Sequence, residues 1–110
     1  MEIFTKQPAL LANATMSAVN VGEVYSKLVG LGTDPNEAWQ NVTALIPEVV
    51  AFDTDQAEIT GRLMALTRSR GLSLGDRACL SLGISLKAAV YTTDRAWKGL
   101  RTGIAIHVIR

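Results

Sequence analysis

Cysteine and histidine are almost absent from this sequence, and their scarcity removes two kinds of chemistry. The single cysteine, Cys79, can neither form an internal disulfide nor supply a zinc cluster, and it fits a small core residue in a reducing compartment. The single histidine, His107, lies in an apolar stretch near the end of the sequence, with no serine or cysteine partner that the sequence identifies. A hydrolytic triad is therefore not expected.

Long apolar runs and targeting signals are also lacking. Charged residues interrupt every candidate segment before it reaches the roughly 18 apolar residues that a membrane span needs. The opening MEIFTKQPALL has no basic start followed by an apolar stretch, so a secretory signal is not expected. The segment GLGTDPNE lacks the lysine and serine of a phosphate-binding loop. These absences favour a cytoplasmic protein that does not enter the membrane.

The sequence does contain enough apolar material for a single domain spanning residues 1–110. It is 48% apolar and 19% charged, a balance typical of folded globular chains. The net charge of +1 hides an asymmetry, because residues 1–55 contain two bases and seven acids whereas residues 56–110 contain nine bases and three acids. The basic half is suited to attract phosphates or an acidic peptide, or it is only a solvated surface; the sequence leaves both alternatives open.

Short apolar strands alternate with amphipathic helices along the chain. The predicted strands cover residues 14–19, 48–52, 89–93 and 104–109, and the predicted helices cover 20–32, 34–46, 55–70 and 74–87, with a helical turn over 94–99. In the last long helix, Ala78, Leu82 and Leu86 form the expected inward stripe. The alternation predicts an α/β fold with a mostly parallel sheet flanked by helices.

Three acids follow strands or open helices in this arrangement. Glu23 comes after the first predicted strand, Asp94 comes after the third, and Asp76 opens a helix after a short connection. Ligands of such sheets bind at the carboxyl ends of strands and at the helix starts that follow. Three ionised carboxylates at one edge would repel each other, and a divalent cation removes that repulsion. Oxygen ligands suit Mg²⁺ or Mn²⁺, which can activate a water for attack on a phosphodiester.

Helix capping offers a second explanation for the same acids. An N-cap residue followed three positions later by an acid or glutamine is the spacing of a capping box. Four pairs have that spacing: Asn20 with Glu23, Asp34 with Glu37, Asp53 with Gln56, and Ser73 with Asp76. Because the pattern recurs four times, spacing alone does not separate a metal site from a set of helix caps.

Three longer stretches carry a resemblance to a known family. The segments SAVNVGEVYSKL (17–28), GLSLGDRACLSLG (71–83) and VYTTDRAW (90–97) resemble the acidic motifs of PIN-domain ribonucleases, in particular VapC-like toxins of bacterial toxin-antitoxin pairs. The segments occur in the family's order, and the likeness extends from about residue 10 onward. The resemblance implies a three-layer PIN-like fold and a Mg²⁺- or Mn²⁺-dependent endoribonuclease, in which Glu23, Asp76 and Asp94 match the catalytic, metal-binding acids.

The same resemblance assigns supporting roles to polar neighbours of these acids. Ser17, Asn20 and Thr92 match positions that orient the acids or a bound water, although a helix-cap or strand-end role explains each of them as well. Arg77 and Arg95 each follow one of the acids and match positions that hold RNA phosphate. The alternative for both arginines is an ion pair with a surface carboxylate.

The chain departs from the family at its amino end. PIN domains begin with a central strand that carries a first aspartate, and then a helix, whereas this sequence has no aspartate before Asp34. We therefore expect an N-terminally incomplete fold whose flanking strands lack a neighbour, which either close up, accept a segment of another chain, or leave a poorly stable protein. Loss of one metal-binding acid also predicts impaired cleavage.

Two functions follow from the resemblance and this departure. The first is the ribonuclease toxin itself, acting on RNA and blocked by an antitoxin peptide of the VapB type. The second is a non-catalytic remnant that binds the antitoxin or pairs with a second copy as a homodimer. Metal binding separates the two functions, because the remnant is expected to bind Mg²⁺ hardly at all.

Overall fold

The computed structural model describes residues 15–46, 48–92 and 94–108 of the chain. The chain divides into two compact units after Ala51. The first unit contains β1 (Thr15–Ser17), α1 (Ala18–Gly30), α2 (Pro35–Leu45) and β2 (Glu48–Val50). The second contains α3 (Thr54–Thr67), a 3-10 helix (Arg68–Arg70), α4 (Leu74–Leu86), β3 (Val90–Thr92), a second 3-10 helix (Arg95–Trp97) and β4 (Ile106–Val108).

In the first unit, two helices pack beside one parallel strand pair. β1 pairs with β2, with Met16 opposite Val49. Val21, Val42 and Ile46 are buried together, because three- and four-residue spacing puts the apolar residues of α1 and α2 on facing sides. The start of α2 follows from local chemistry: the Asp34 side chain accepts a hydrogen bond from the Glu37 amide at 3.1 Å, and proline occupies the first turn.

The second unit has its own core and its own parallel pair. Leu63 of α3, Leu80 of α4 and Val90 of β3 are buried in one apolar cluster, which Leu72 and Trp97 complete. β3 pairs with β4, with Tyr91 opposite His107. α3 continues as the 3-10 helix to Arg70, where Gly71 adopts the left-handed conformation with φ 68°.

The structure confirms a mixed α/β chain with short parallel strands. The described strands form two pairs of two strands each, β1 with β2 and β3 with β4. Every long helix predicted from the sequence is present with small shifts at its ends. The outer residues of three predicted strands, 14, 93 and 109, lie outside the described residues. None of the helices within the described ranges is long and apolar enough to cross a membrane.

Three local predictions are wrong, and each error has a physical reason. The strand predicted over 14–19 ends at Ser17, because the Ser17 hydroxyl accepts a hydrogen bond from the Val19 amide at 3.2 Å and caps α1. Asn20 is consequently inside the first turn of α1 and does not cap it. Leu86 is 50% exposed and does not continue the buried stripe of Ala78 and Leu82, because α4 ends at that residue.

Candidate acidic site

Asp94 lies just beyond the carboxyl end of β3, the end of a parallel strand at which α/β proteins commonly bind ligands. Its amide donates to the Thr92 hydroxyl at 3.0 Å, and its Oδ1 accepts from the Ala96 amide at 2.9 Å. The carboxylate therefore caps the 3-10 helix that follows, through its Oδ1. Thr92 holds the backbone of Asp94, as a supporting polar residue would.

The same 3-10 helix also accepts hydrogen bonds from an arginine side chain. Arg70, at the end of the 3-10 helix that follows α3, donates from Nη1 to the Ala96 carbonyl at 3.0 Å and to the Lys98 carbonyl at 2.5 Å. The guanidinium thus fastens the short helix that Asp94 caps. Sequence reasoning missed Arg70, because nothing in the pattern shows that position 70 meets positions 96 and 98.

Asp76 forms a complete capping box at the start of α4. Its amide donates to the Ser73 hydroxyl at 3.2 Å, and its Oδ2 accepts from the Ser73 amide at 3.0 Å. The carboxylate is only half-buried, and it also lies at the positive end of the helix dipole. The cap therefore explains why a charged residue begins this apolar helix, and it leaves Asp76 accessible to solvent.

Glu23 lies within α1, inside the helix that the sequence predicted over residues 20–32. α1 begins at Ala18, directly after β1, so Glu23 is in the second turn of the helix. Its Oε1 accepts a hydrogen bond from the Asn20 side-chain amide at 3.1 Å, and the carboxylate is exposed. Ser17, the cap of the same helix, is 1% exposed.

The structure therefore joins two of the acids to a predicted polar neighbour, Glu23 to Asn20 and Asp94 to Thr92, whereas Ser17 accepts from the Val19 amide and Asp76 pairs with its capping partner Ser73. Glu23 belongs to the first compact unit, whereas Asp76 and Asp94 belong to the second. Across residues 15–46, 48–92 and 94–108, no three His, Cys, Asp or Glu side chains gather closely enough to hold one ion. A shared Mg²⁺ or Mn²⁺ site stays a prediction.

The two arginines next to the acids differ in their surroundings. Arg77 Nη1 donates to the Thr60 carbonyl at 2.9 Å, so this side chain bridges α4 and α3. Its Nε is buried and has no hydrogen-bond partner within the described part of the chain. Arg95 is exposed on the 3-10 helix after Asp94. Of the two, Arg95 has the better access to an external phosphate, whereas Arg77 holds helices together.

Two further surface features involve none of the site residues that the sequence predicted. Tyr91 and His107 stack across β3 and β4, with ring centroids 4.9 Å apart and an interplanar angle of 26°. An open depression of about 590 Å³ lies beside the amino ends of these strands, and Lys87, Ala89 and Ala105 contribute to its lining. The sequence shows Tyr91 and His107 as two separate aromatic residues, but it does not show the strand register that places them side by side.

Comparisons of the chain with models of protein families, with curated proteins and with solved structures find no match.

Proposed function

We propose that this protein is a metal-dependent endoribonuclease of the PIN type, with Glu23, Asp76 and Asp94 as its metal-binding catalytic acids. The observation that carries the proposal is the position of Asp94, a carboxylate at the carboxyl end of a parallel strand and fixed there by Thr92 and Ala96. Edges of this kind are where α/β proteins bind their ligands. The remaining acids, Glu23 and Asp76, lie in the segments 17–28 and 71–83, which also resemble PIN motifs.

The proposed chemistry follows from the residue types. Glu23, Asp76 and Asp94 would hold Mg²⁺ or Mn²⁺ through carboxylate oxygens, and the ion would supply charge neutralisation and activation of a water for attack on a phosphodiester. Asn20 is placed to orient Glu23, and Thr92 to hold Asp94, because both already form the hydrogen bonds described above. Arg95 is the proposed phosphate contact, since its side chain is exposed beside Asp94.

The finer parts of the interpretation belong to the same proposal. They are a three-layer PIN-like arrangement of the sheet and helices, a cytoplasmic location, a homodimeric state and inhibition by a VapB-like antitoxin peptide. The resemblance supports all four, whereas the α/β order of parallel strands and helices bears only on the arrangement of the sheet and helices. Inhibition by a peptide also fits the proposed acids, because a basic side chain of the peptide would pair with carboxylates that the metal otherwise binds.

Cleavage of RNA under controlled metal conditions tests the proposal. Asp76→Asn and Asp94→Asn each remove a charge while keeping a side-chain oxygen that can accept the cap hydrogen bond. We expect cleavage with Mg²⁺ or Mn²⁺ that stops with a chelator and falls at least about 100-fold in both variants, the range that loss of one electrostatic group commonly causes. Because the sequence lacks the family's first aspartate, we expect the wild-type cleavage rate in this assay to be low.

A matched control separates chemistry from helix capping. Asp53 caps α3 by accepting from the Gln56 amide at 2.9 Å and lies outside the three PIN-like segments. Asp53→Asn therefore removes the same charge from a helix N-cap, the position that Asp94 also holds, and is expected to cleave like the wild type. Equal loss in all three variants, or cleavage that persists with chelator, would contradict the proposal.

A non-catalytic binding protein is the second candidate, and one observation favours it. Asp76 and Asp94 both use a carboxylate oxygen as a helix cap, which is a sufficient structural reason for either acid. Calorimetric titration with Mn²⁺ distinguishes the candidates. Binding that Asp94→Asn weakens supports the enzyme, whereas a folded protein that binds neither Mn²⁺ nor Mg²⁺ supports the binding function.

A further inference from the structure

The exposed side of the β3–β4 pair carries a stacked aromatic pair. Tyr91 is 40% exposed, and His107, its partner in the strand register, is also exposed. Parallel strands normally have aliphatic residues on both faces, because both faces are covered. Here one side presents two polar aromatic rings to solvent, at a centroid separation of 4.9 Å. The rings are therefore available to a flat ligand.

The other side of the same strands fixes the rings in place. Val90, the neighbour of Tyr91, is 6% exposed and packs in the core with Leu80 and Trp97. The Val90 amide also donates to the Ala105 carbonyl at 2.9 Å. A surface anchored in this way loses little conformational freedom when a ligand binds, which favours binding.

The charge of the segment that contains both rings indicates the kind of ligand. Residues 87–110 contain five bases and a single acid, Asp94. One of the bases, Lys87, lines the depression of about 590 Å³ that lies beside the amino ends of the two strands. Aromatic rings for bases, together with cations for phosphates, are the two components of surfaces that bind single-stranded nucleic acid. An acidic peptide would account for the cations but would leave the stacked rings without a matching partner.

We propose that Tyr91 and His107 form a stacking surface for the bases of single-stranded RNA, with Lys87 contacting the phosphate backbone. Stacking accepts any base, so the surface binds RNA with little sequence preference. The choice of RNA rests on the proposed function, whereas the stacking surface itself does not. Binding here needs no metal ion, because neither stacking nor phosphate contact with lysine uses one.

Fluorescence anisotropy without added metal and with a chelator tests this surface. The probe is a labelled single-stranded RNA of about eight nucleotides, within the range that single binding modules cover. We expect Tyr91→Ala to weaken binding about 5- to 150-fold, the range that removal of one stacking ring produces. Tyr91→Phe keeps the ring and is expected to bind within about two-fold of the wild type, since stacking supplies the contact.

Trp39→Ala is the matched control, because Trp39 is a 48% exposed aromatic residue in the first unit. Its binding is expected to equal that of the wild type, with folding of every variant checked by circular dichroism. Absence of RNA binding by the wild type, equal losses in Trp39→Ala and Tyr91→Ala, or a change in oligomeric mass without a change in RNA affinity would each overturn the proposal. The last result would identify an interface between copies.

The same series separates this proposal from the proposed function. RNA binding in chelator that depends on Tyr91, in a protein that never cleaves RNA with Mg²⁺ or Mn²⁺, retains the stacking surface and removes the ribonuclease. Metal-dependent cleavage by a protein whose RNA affinity is unchanged in Tyr91→Ala retains the ribonuclease and removes the stacking surface.

Discussion

Gly83 of α4 lies at a tightly packed position in the second unit. A β-carbon built at this position would overlap Val90 Cγ2 and would lie 2.9 Å from Ile104 Cδ1. Both neighbours belong to or pack against the core, so neither can move away without disturbing it. The glycine is thus needed for the close approach of α4 to β3, although glycine lowers the intrinsic stability of a helix.

We expect Gly83→Ala to lower the free energy of unfolding by about 1 to 3 kcal/mol, the usual cost of overpacking a core. Urea denaturation followed by circular dichroism measures the change. Gly61→Ala is the control, because a β-carbon there, within α3, meets nothing within 4 Å. That control is expected to stabilise the protein by about 0.4 to 1 kcal/mol. Equal effects of the two substitutions would contradict the packing argument.

At the scale of single residues, the sequence predicted where a residue lies in a helix or strand better than it predicted the contacts of its side chain. Asp76 was expected at the start of a helix, and the capping box confirms that position. The partner of Arg77 was not predictable, because the Thr60 carbonyl is seventeen residues away and backbone acceptors leave no sequence pattern. Tyr91 and His107 were visible as residues, but the register that stacks them is a property of two strands.

Helix ends are the elements whose positions depend most on a single side chain. Ser73 begins α4 through a reciprocal pair of hydrogen bonds with Asp76. We expect Ser73→Ala to cost about 0.5 to 2 kcal/mol of stability, because the cap leaves a backbone amide without its acceptor. Thermal unfolding measures this loss, and Ser69→Ala, at an exposed position in the preceding 3-10 helix, provides the control. A loss of similar size in both variants would show that capping is not the cause.

The 3-10 helix after β3 depends on a side chain from elsewhere in the second unit. Because Arg70 donates to the carbonyls of Ala96 and Lys98, we expect Arg70→Gln to loosen this short helix by about 0.5 to 1.5 kcal/mol. Hydrogen exchange at the amides of Ala96 and Trp97 is then about 2- to 13-fold faster. Arg68→Gln, in the 3-10 helix that ends at Arg70, should leave that exchange rate unchanged. Unchanged exchange in Arg70→Gln would remove Arg70 as a support for Asp94.

Element boundaries were predictable where capping chemistry is local and unambiguous. Asp34 and Pro35 marked the start of α2 correctly, since a capping aspartate followed by proline at the first helical position favours a helix start. The boundary at Ser17 was wrong because serine and the apolar residues after it suit a strand as well as a helix cap. The end of α4 at Leu86 was predicted one residue late, at Lys87, which has a φ of 52° and ends the helix without a glycine.

At the scale of the whole molecule, the charge distribution can be read from the sequence, whereas the choice of strands that pair cannot. Parallel strands were predicted from alternation with helices, and the two parallel pairs confirm that much. Which strands pair was not predictable, because pairing joins residues about 16 to 33 positions apart and depends on packing rather than on local pattern. The charge asymmetry, in contrast, is fully contained in the sequence.

That asymmetry gives a prediction for the dependence of RNA binding on salt. Each phosphate that a lysine or arginine neutralises contributes about −0.7 to the slope of log affinity against log salt for a single strand. Removing two bases of the second unit, in the double variant Lys87→Gln and Arg101→Gln, is therefore expected to make the slope shallower by up to about 1.4. Anisotropy titrations of the labelled RNA over a range of KCl concentrations measure the slope in chelator.

A base from the first unit tests whether the effect is local or only a matter of net charge. Lys27 is exposed in α1, within the half of the chain that carries seven acids. If RNA contacts the surface around Tyr91, Lys27→Gln leaves the slope unchanged while the double variant reduces it. If net charge alone attracts RNA, every lost cation reduces affinity by a similar factor, wherever it lies in the chain. Equal changes per charge removed at Lys27 and at the pair Lys87 and Arg101 would therefore assign RNA attraction to the net charge of the chain and not to this surface.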